Sequence, residues 1–263
     1  MLNQAQVEAY LQRIGYSGSV EPTLHTLRNL HLAHVLSVPF ENLSICSACQ
    51  RQPIVLDETA LFDKIVTRQR GGFCYELNGL FAALLIALGY RVELLSARVP
   101  NDEGRPVPDF DHLVLHVSLD YEWLADVGFG EGFRWPLRLS MGRVQPQGEY
   151  GYRVCDDTSE RVVQRRNGKA GWRELFRFTP QPRRMDEFKP MCMYHQTSPE
   201  SPFTRKRLVT LATPEGRITL TNMRLIITRY DRRIERALRD EAEVDQVLSG
   251  LFGIRERPTT DDG

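Results

Sequence analysis

The apolar period of this chain changes once, at Gly89–Tyr90, and that change limits the architectures open to it. Before it, "CYELNGLFAALLIALGY" places Leu77, Leu80, Phe81, Leu84, Leu85 and Leu88 at helical spacing, and Gly89 supplies the stop. "NQAQVEAYLQRIGY", "TLHTLRNLHLAHVLSV" and "LDETALFDKIVTRQR" share that spacing. Gly15 and Pro39 end the first two, and Asp57 gives the third its N-cap signal. The run from Cys74 is the most apolar and predicts the central helix. After Tyr90, "YRVELLSARV", "HLVLHVSL", "EWLADVGF", "YRVCDD", "RVVQRR" and "WRELFRFTP" are short and rich in β-branched or aromatic residues. Gly, Pro, Asp and Asn separate them, which predicts antiparallel strands of a barrel or sandwich. Beyond "TPQPRRMDEFKP" come an irregular Pro-containing stretch to Phe203, a hairpin in "KRLVTLATPEGRITLTNMRLIITRY", and a helix around "DEAEVDQVLSGLFG". The fold class read this way is α+β. Helices occupy 1–89, strands 90–185 and a small α/β segment 186–263.

Composition narrows the function classes. The 263 residues carry 34 basic and 34 acidic side chains, so the basic excess of a nucleic-acid binder is missing. No 18 apolar residues run together, and the amphipathic N-terminus holds Glu8 where a signal peptide needs an apolar core. The expectation is a cytoplasmic protein with no membrane and no nucleic-acid partner. Five cysteines, an odd number thinly spread, fit a reducing compartment. Cys46 and Cys49 form a C-x-x-C without a second one or a βαβ setting, so ordinary thiols in a loop or short helix are expected.

"RQRGGFCYELNGLF" sets Cys74 where loop becomes helix. Free N–H groups and the helix dipole at that point favour an anion and predict a lowered thiol pKa. Gly71 and Gly72 leave room for a sharp turn and a ligand. The other reading is a buried cysteine packed as a small hydrophobe. A nucleophile needs a base, and the base an orienting group. "DHLVLHVSLDYEWLADVGFG" offers both, with His112 opening one strand and Asp126 near the end of the next. Side chains alternate along strands, so this pair shares a face only if even positions oppose even positions. That requires a three- or five-residue loop near Leu119 to Tyr121, or a bulge, instead of a two-residue turn.

The chain resembles the arylamine N-acetyltransferase family in "VPFENL", "RGGFCYELN", "DHLVLHV", "LADVGFG" and "SPESPF", in family order along nearly the whole length. The resemblance implies a papain-like cysteine-transferase core made of a helical bundle, an antiparallel β-barrel and an α/β lid. It implies Cys74, His112 and Asp126 as a catalytic triad. It also implies Phe40, Phe129 and Phe203, joined by Val99, as walls of an acceptor pocket, with Gly128 and Gly130 beside the arm of coenzyme A. The expected reaction is ping-pong acetyl transfer from acetyl-CoA to arylamines, hydrazines or arylhydroxylamines. Acetyl-CoA is a co-substrate, no cofactor stays bound, and no metal is required. An amide synthase or thioester hydrolase using the same triad, and a binding module with a relict triad, are the alternatives. Asp111 departs from the small hydroxyl residue usual before the family's histidine, and no long C-terminal tail follows, which leaves the acyl-donor entrance open.

Several further residues carry expectations. Glu41 and Arg70 are expected to pair and hold the cysteine loop. His31 and His34, one helical turn apart without a third ligand, are read as packing or surface residues. His112 and His116 are about 13 Å apart along a strand and cannot share one metal. Arg205, Lys206 and Arg207 read as a solvated face, with coenzyme A phosphates as the other possibility.

Overall fold

Short polar side chains set where the helices start. In the computed structural model, which describes residues 1–49, 51–100, 107–168, 170–230 and 232–255, Asn3, Thr23 and Asp57 cap three helices by accepting backbone N–H bonds. These are α1 (Gln4–Arg13), α2 (Leu24–Ser37) and α3 (Glu58–Phe62), and between α2 and α3 the chain makes a two-residue strand β1 (Phe40–Glu41). α3 continues as one π-helical turn, Asp63–Thr67, which carries buried Lys64 inward. α4 (Cys74–Ala87) is the central helix, buried at nearly every position from Cys74 to Leu85.

Strands follow from Arg91. They are β2 (Arg91–Arg98), β3 (His112–Ser118), β4 (Glu122–Ala125), β5 (Leu137–Arg138), β6 (Gln145–Gln147), β7 (Tyr150–Asp157), β8 (Glu160–Asn167) and β9 (Arg173–Arg183). They form one eight-stranded antiparallel sheet in the order β5-β4-β3-β2-β9-β8-β7-β6, curled into a nearly closed barrel. Side chains close the seam between the end strands. The Gln145 amide accepts from the Arg138 N–H and donates to the Arg138 carbonyl. Gln147 accepts from the N–H groups of Arg134 and Trp135 and donates to the Trp135 carbonyl.

The C-terminal part departs from its sequence reading in two places. The stretch expected to be irregular holds α5 (Lys189–Thr197), because Pro190 stands in the first turn, where no N–H is needed, and the helix then buries Cys192 and His195. A short α6 (Pro202–Arg205) follows. The expected hairpin is larger: β10 (Leu208–Thr213), β11 (Gly216–Thr221), β12 (Arg224–Arg229) and β13 (Arg232–Ala237) form a meander, and β1 adds to its edge beside β10. α7 (Glu241–Phe252) packs on this sheet through Val244, Val247, Leu248 and Phe252. The expectation about the C-terminal tail concerns residues 256–263, which lie outside the described residues.

β3 joins the layers. Leu113, Leu115 and Val117 enter the core under the helices, and Val114 on the opposite face enters the barrel core with Leu95, Leu124 and Phe176. No helix among the described residues is long and apolar enough to cross a membrane.

Gln147 is buried, so Gln147→Met should leave two backbone N–H groups and a carbonyl without partners. A loss of about 2–4 kcal/mol in chemical denaturation is expected. A variant as stable as the parent would show that the seam does not depend on this amide.

Candidate active site

The loop before Cys74 is held by buried charge. Arg70 donates through Nε (3.1 Å) and Nη2 (2.8 Å) to Oε1 of Glu41, the pair expected from sequence. Two further charges complete it: Lys64 Nζ lies 2.7 Å from Glu76 and 3.8 Å from Glu41. Burial pushes the Glu41 carboxyl up, but Lys64, Arg70 and the Leu43 N–H outweigh that and hold it below the usual carboxylate range. For Glu76 burial wins, and its carboxyl is raised. Glu76 also accepts the Phe73 N–H, so the helix start is tied to the ion cluster. A glutamate three residues past the cap was the sequence signal for this. Arg13, from α1, donates to the carbonyls of Ser37, Ile65, Gln69 and Arg70 and clamps the far side of the loop. Gly71 is required by space, since a Cβ there would overlap the Pro39 carbonyl oxygen.

β3 and β4 place the next two groups. Their register pairs Ser118 with Glu122 and leaves a three-residue loop, Leu119–Tyr121, as parity demanded. Even positions oppose even positions, and His112 Nε2 meets Asp126 Oδ2 at 2.8 Å with both side chains buried. With Asp126 a carboxylate, Nε2 carries the proton and donates, which leaves Nδ1 as the basic nitrogen. Asp126 Oδ1 accepts from Gly128 N (2.9 Å) and Asn78 Nδ2 (2.8 Å).

Asn78 and His31 were not singled out from sequence as parts of this site. Asn78 Nδ2 donates also to the Leu113 carbonyl (2.7 Å), and its Oδ1 accepts from Val127 N (2.9 Å). His31 accepts the Asp126 N–H at Nε2 (3.2 Å) and donates from Nδ1 to the Arg134 carbonyl (2.9 Å). The sequence predicts a packing or surface residue. Its ring does pack, stacked on Phe133, but both nitrogens position the aspartate loop.

Cys74 opens α4 and is 3% exposed. Gly128 packs directly on it, because a Cβ on Gly128 would come within 2.8 Å of the Cys74 Cα and of Asn78 Nδ2. The lowered thiol pKa expected at a helix start is not found. Burial pushes the thiol well up, and the carboxylates of Asp111 and Asp126 add to it; the Leu113 backbone opposes them by hydrogen bonding. No hydrogen bond joins Sγ to the His112 ring, and Cys74 meets the histidine strand at neighbouring Leu113. A thiolate here therefore needs a cation beside it.

The remaining expected residues fall as follows. Phe129 stands edge-on to His112 at 5.4 Å, and Val99 packs in the same cluster. Phe203 touches Phe73 (5.8 Å), Phe40 (6.1 Å) and His195 (5.0 Å), so two of the expected aromatic walls meet, while Phe129 and Val99 pack in the barrel cluster. Phe40 is in the core and also lines a small cavity with Asp126, Phe129, Gly130 and Arg217. Gly130 presents its carbonyl to the Arg217 guanidinium. Arg205 pairs with Glu200 at the surface, but Arg207 is not on a solvated face: it is buried and bonded to Glu241 at 2.7 Å. His116 lies between Glu93 and Glu122, and the described residues contain no cluster suited to a metal. Cys46 and Cys49 correct the sequence reading, being joined as a disulfide. A turn closed by the Cys49 N–H on the Cys46 carbonyl brings their Cα atoms to 5.3 Å, within bridging range, a closeness the spacing alone did not establish.

Known proteins resemble this chain in sequence and in overall fold. A family model described as N-acetyltransferase matches residues 23–258. The arylamine N-acetyltransferase of Mycobacterium tuberculosis is 36% identical over 252 residues, 94% of this chain and 88% of its own length. The solved structure of arylamine N-acetyltransferase from Salmonella typhimurium superposes with a TM-score of 0.90 at 30% identity, covering 99% of this chain and 95% of that one. That of Mycobacterium marinum arylamine N-acetyltransferase in complex with CoA gives 0.87 at 34% identity, covering 94% and 92%.

Burial lowers the pKa of His31 to about 4 and that of His34 well below its ordinary value. The unfolded chain, with histidines near ~6.5, then binds protons that the fold refuses. That stabilisation is complete above pH ~6.5 and is lost as pH falls toward 4. Denaturation midpoints should fall over this window, and less steeply in His31→Gln. An equal slope in the variant would mean that His31 is not kept neutral by the fold.

Proposed function

The chain belongs to the arylamine N-acetyltransferase family, and from that membership we propose that it transfers an acetyl group from acetyl-CoA to aromatic amines by way of a Cys74 thioester. The observation that carries the mechanism is the buried 2.8 Å bond between His112 and Asp126, tied by Asn78 to the helix that begins with Cys74. His112 Nδ1 takes the thiol proton, and the thiolate forms only as half of an ion pair, as its raised pKa requires. Sγ attacks the thioester carbonyl. The helix N-terminal N–H of Cys74 receives the oxyanion. The C–S bond to CoA breaks, and imidazolium returns the proton to the leaving thiolate. In the second half the amine attacks acetyl-cysteine, His112 takes the amine proton, and the amide departs as Cys74 is released. Asp126 fixes the imidazole tautomer throughout.

Phe40, Val99, Phe129 and Phe203 wall the acceptor, where stacking and exclusion of water favour a flat ring. Gly128 and Gly130 leave room for the pantetheine arm. Hydrazines and arylhydroxylamines share the nucleophilic nitrogen and extend the acceptor range. We place this activity in the cytoplasm, with xenobiotic amines among its substrates. We read the chain as three units: 1–89 with the nucleophile, 90–185 with its histidine and aspartate, and 186–263 as the lid.

Two measurements test the reading. Incubation with acetyl-CoA should add the mass of one acetyl group to Cys74, and an added arylamine should discharge it to the N-acetyl product; Cys74→Ser should keep the fold and do neither. An acyl-enzyme that passes its acetyl group only to water would make the protein a thioesterase. Asp126→Asn should lower turnover by roughly three to four powers of ten with the fold intact, through the wrong imidazole tautomer. Near-parental turnover would remove Asp126 from the mechanism.

A further inference from the structure

A second histidine–carboxylate pair stands near Cys74. His195, on α5, is 2% exposed; its Nε2 lies 3.3 Å from Asp111 Oδ1 yet off the line of a hydrogen bond, so this buried nitrogen has no hydrogen-bond partner. Its Nδ1 is satisfied by Ser201 Oγ at 3.1 Å, and its ring packs against Phe203 and Tyr75. Asp111 Oδ2 accepts the Val99 N–H at 3.2 Å, and its side chain keeps 18% of its surface exposed. The carboxylate is thus held between Val99 and the His195–Phe203 contact, two of the walls assigned above to the acceptor. It is close enough to Cys74 for its charge to oppose thiolate formation, which is a cost to the first chemical step.

We propose that Asp111, positioned by His195, is a charge filter for the acceptor: it favours neutral or cationic aromatic amines and hydrazines and turns away those bearing a carboxylate. The argument is Coulombic. A fixed negative charge in a partly desolvated aromatic site acts on a ligand charge with much less screening than water provides. An anionic acceptor leaves its hydration shell to meet a like charge. A hydrazine N–H or a cationic substituent meets an acceptor oxygen and an opposite charge. Selection against one class by a repulsive group is an effective route to specificity when flat apolar walls bind all aromatic rings alike. His195 enters as a positioning residue. Without the polar Nε2 edge of the ring 3.3 Å from Oδ1, the carboxylate keeps only the Val99 N–H and is free to swing from the wall. This inference rests on the acetyl-transfer reading, since it concerns that reaction's second substrate.

The test compares kcat/KM, at saturating acetyl-CoA, for three para-substituted anilines of similar size: 4-aminobenzamide, 4-aminobenzoate and 4-(trimethylammonio)aniline. Each variant is compared with the parent on the same compound, so intrinsic nucleophilicity cancels. In Asp111→Asn the benzoate should gain on the benzamide by about tenfold or more, and the trimethylammonio compound should lose ground by a similar factor. The benzamide is the neutral reference against which both shifts are read. His195→Leu should weaken the discrimination in the same direction, and His195→Gln, which keeps a polar group in place of Nε2, should restore it. A purely structural role would lower all three rates together. Unchanged ratios in Asp111→Asn, or equal losses on all three compounds, would overturn the proposal. Failure of the parent to acetylate any of the three would instead overturn the acetyl-transfer reading, and the filter with it.

Discussion

One amide holds the site together. The Asn78 side chain donates to the strand that carries His112 and to the carboxylate of Asp126, and accepts from the residue that follows it. Helix, strand and loop thereby share a single fixed point, one helical turn from Cys74. The net worth of each such bond is only about 1 kcal/mol, but a buried partner left without one costs about 1–3 kcal/mol. All the groups Asn78 satisfies are buried, so the penalty for misplacing it exceeds the gain for placing it. That asymmetry gives the site its precision.

Charge performs the equivalent task beneath the cysteine loop. Lys64, Arg70, Glu41 and Glu76 sit in the interior, where attraction outweighs the desolvation of Glu41 but not that of Glu76. Apolar residues of the same volume would not fix the loop's direction. The ion pairs, together with the Arg13 guanidinium on four carbonyls, leave the backbone before Cys74 a single path. The same burial that makes these charges specific also holds the thiol in its neutral form, so the site supplies a proton acceptor instead of relying on the helix dipole.

What the sequence made legible was what periodicity and spacing encode. The switch at Gly89 located the boundary between helices and barrel, and the parity of His112 and Asp126 called for an odd loop or a bulge, of which the register shows a three-residue loop. Other features were hidden for physical reasons. β13, "RRIERA", is exposed at every position, so no apolar alternation marked it. α5 was masked by a proline that a first turn accepts. Asn78, His31 and His195 are polar residues whose partners come from distant segments, and a linear pattern holds no trace of those partners. Lys64 was overlooked because a lysine on a helix suggests solvent, and only the π turn carries it into the core. The thiol reading failed for a related reason: a helix start is visible in sequence, but the depth of burial around it is not.

The turn at Leu119–Tyr121 has a consequence for how this protein can vary. A change of one residue in its length would exchange the faces of β4, sending Trp123 and Ala125 toward the barrel and Asp126 away from His112. A change of two would leave the faces as they are. Among descendants of such a chain, drift in loop length at this point is therefore quantised. Even steps preserve the pairing of histidine and aspartate, and odd steps survive only with a compensating bulge in the same hairpin.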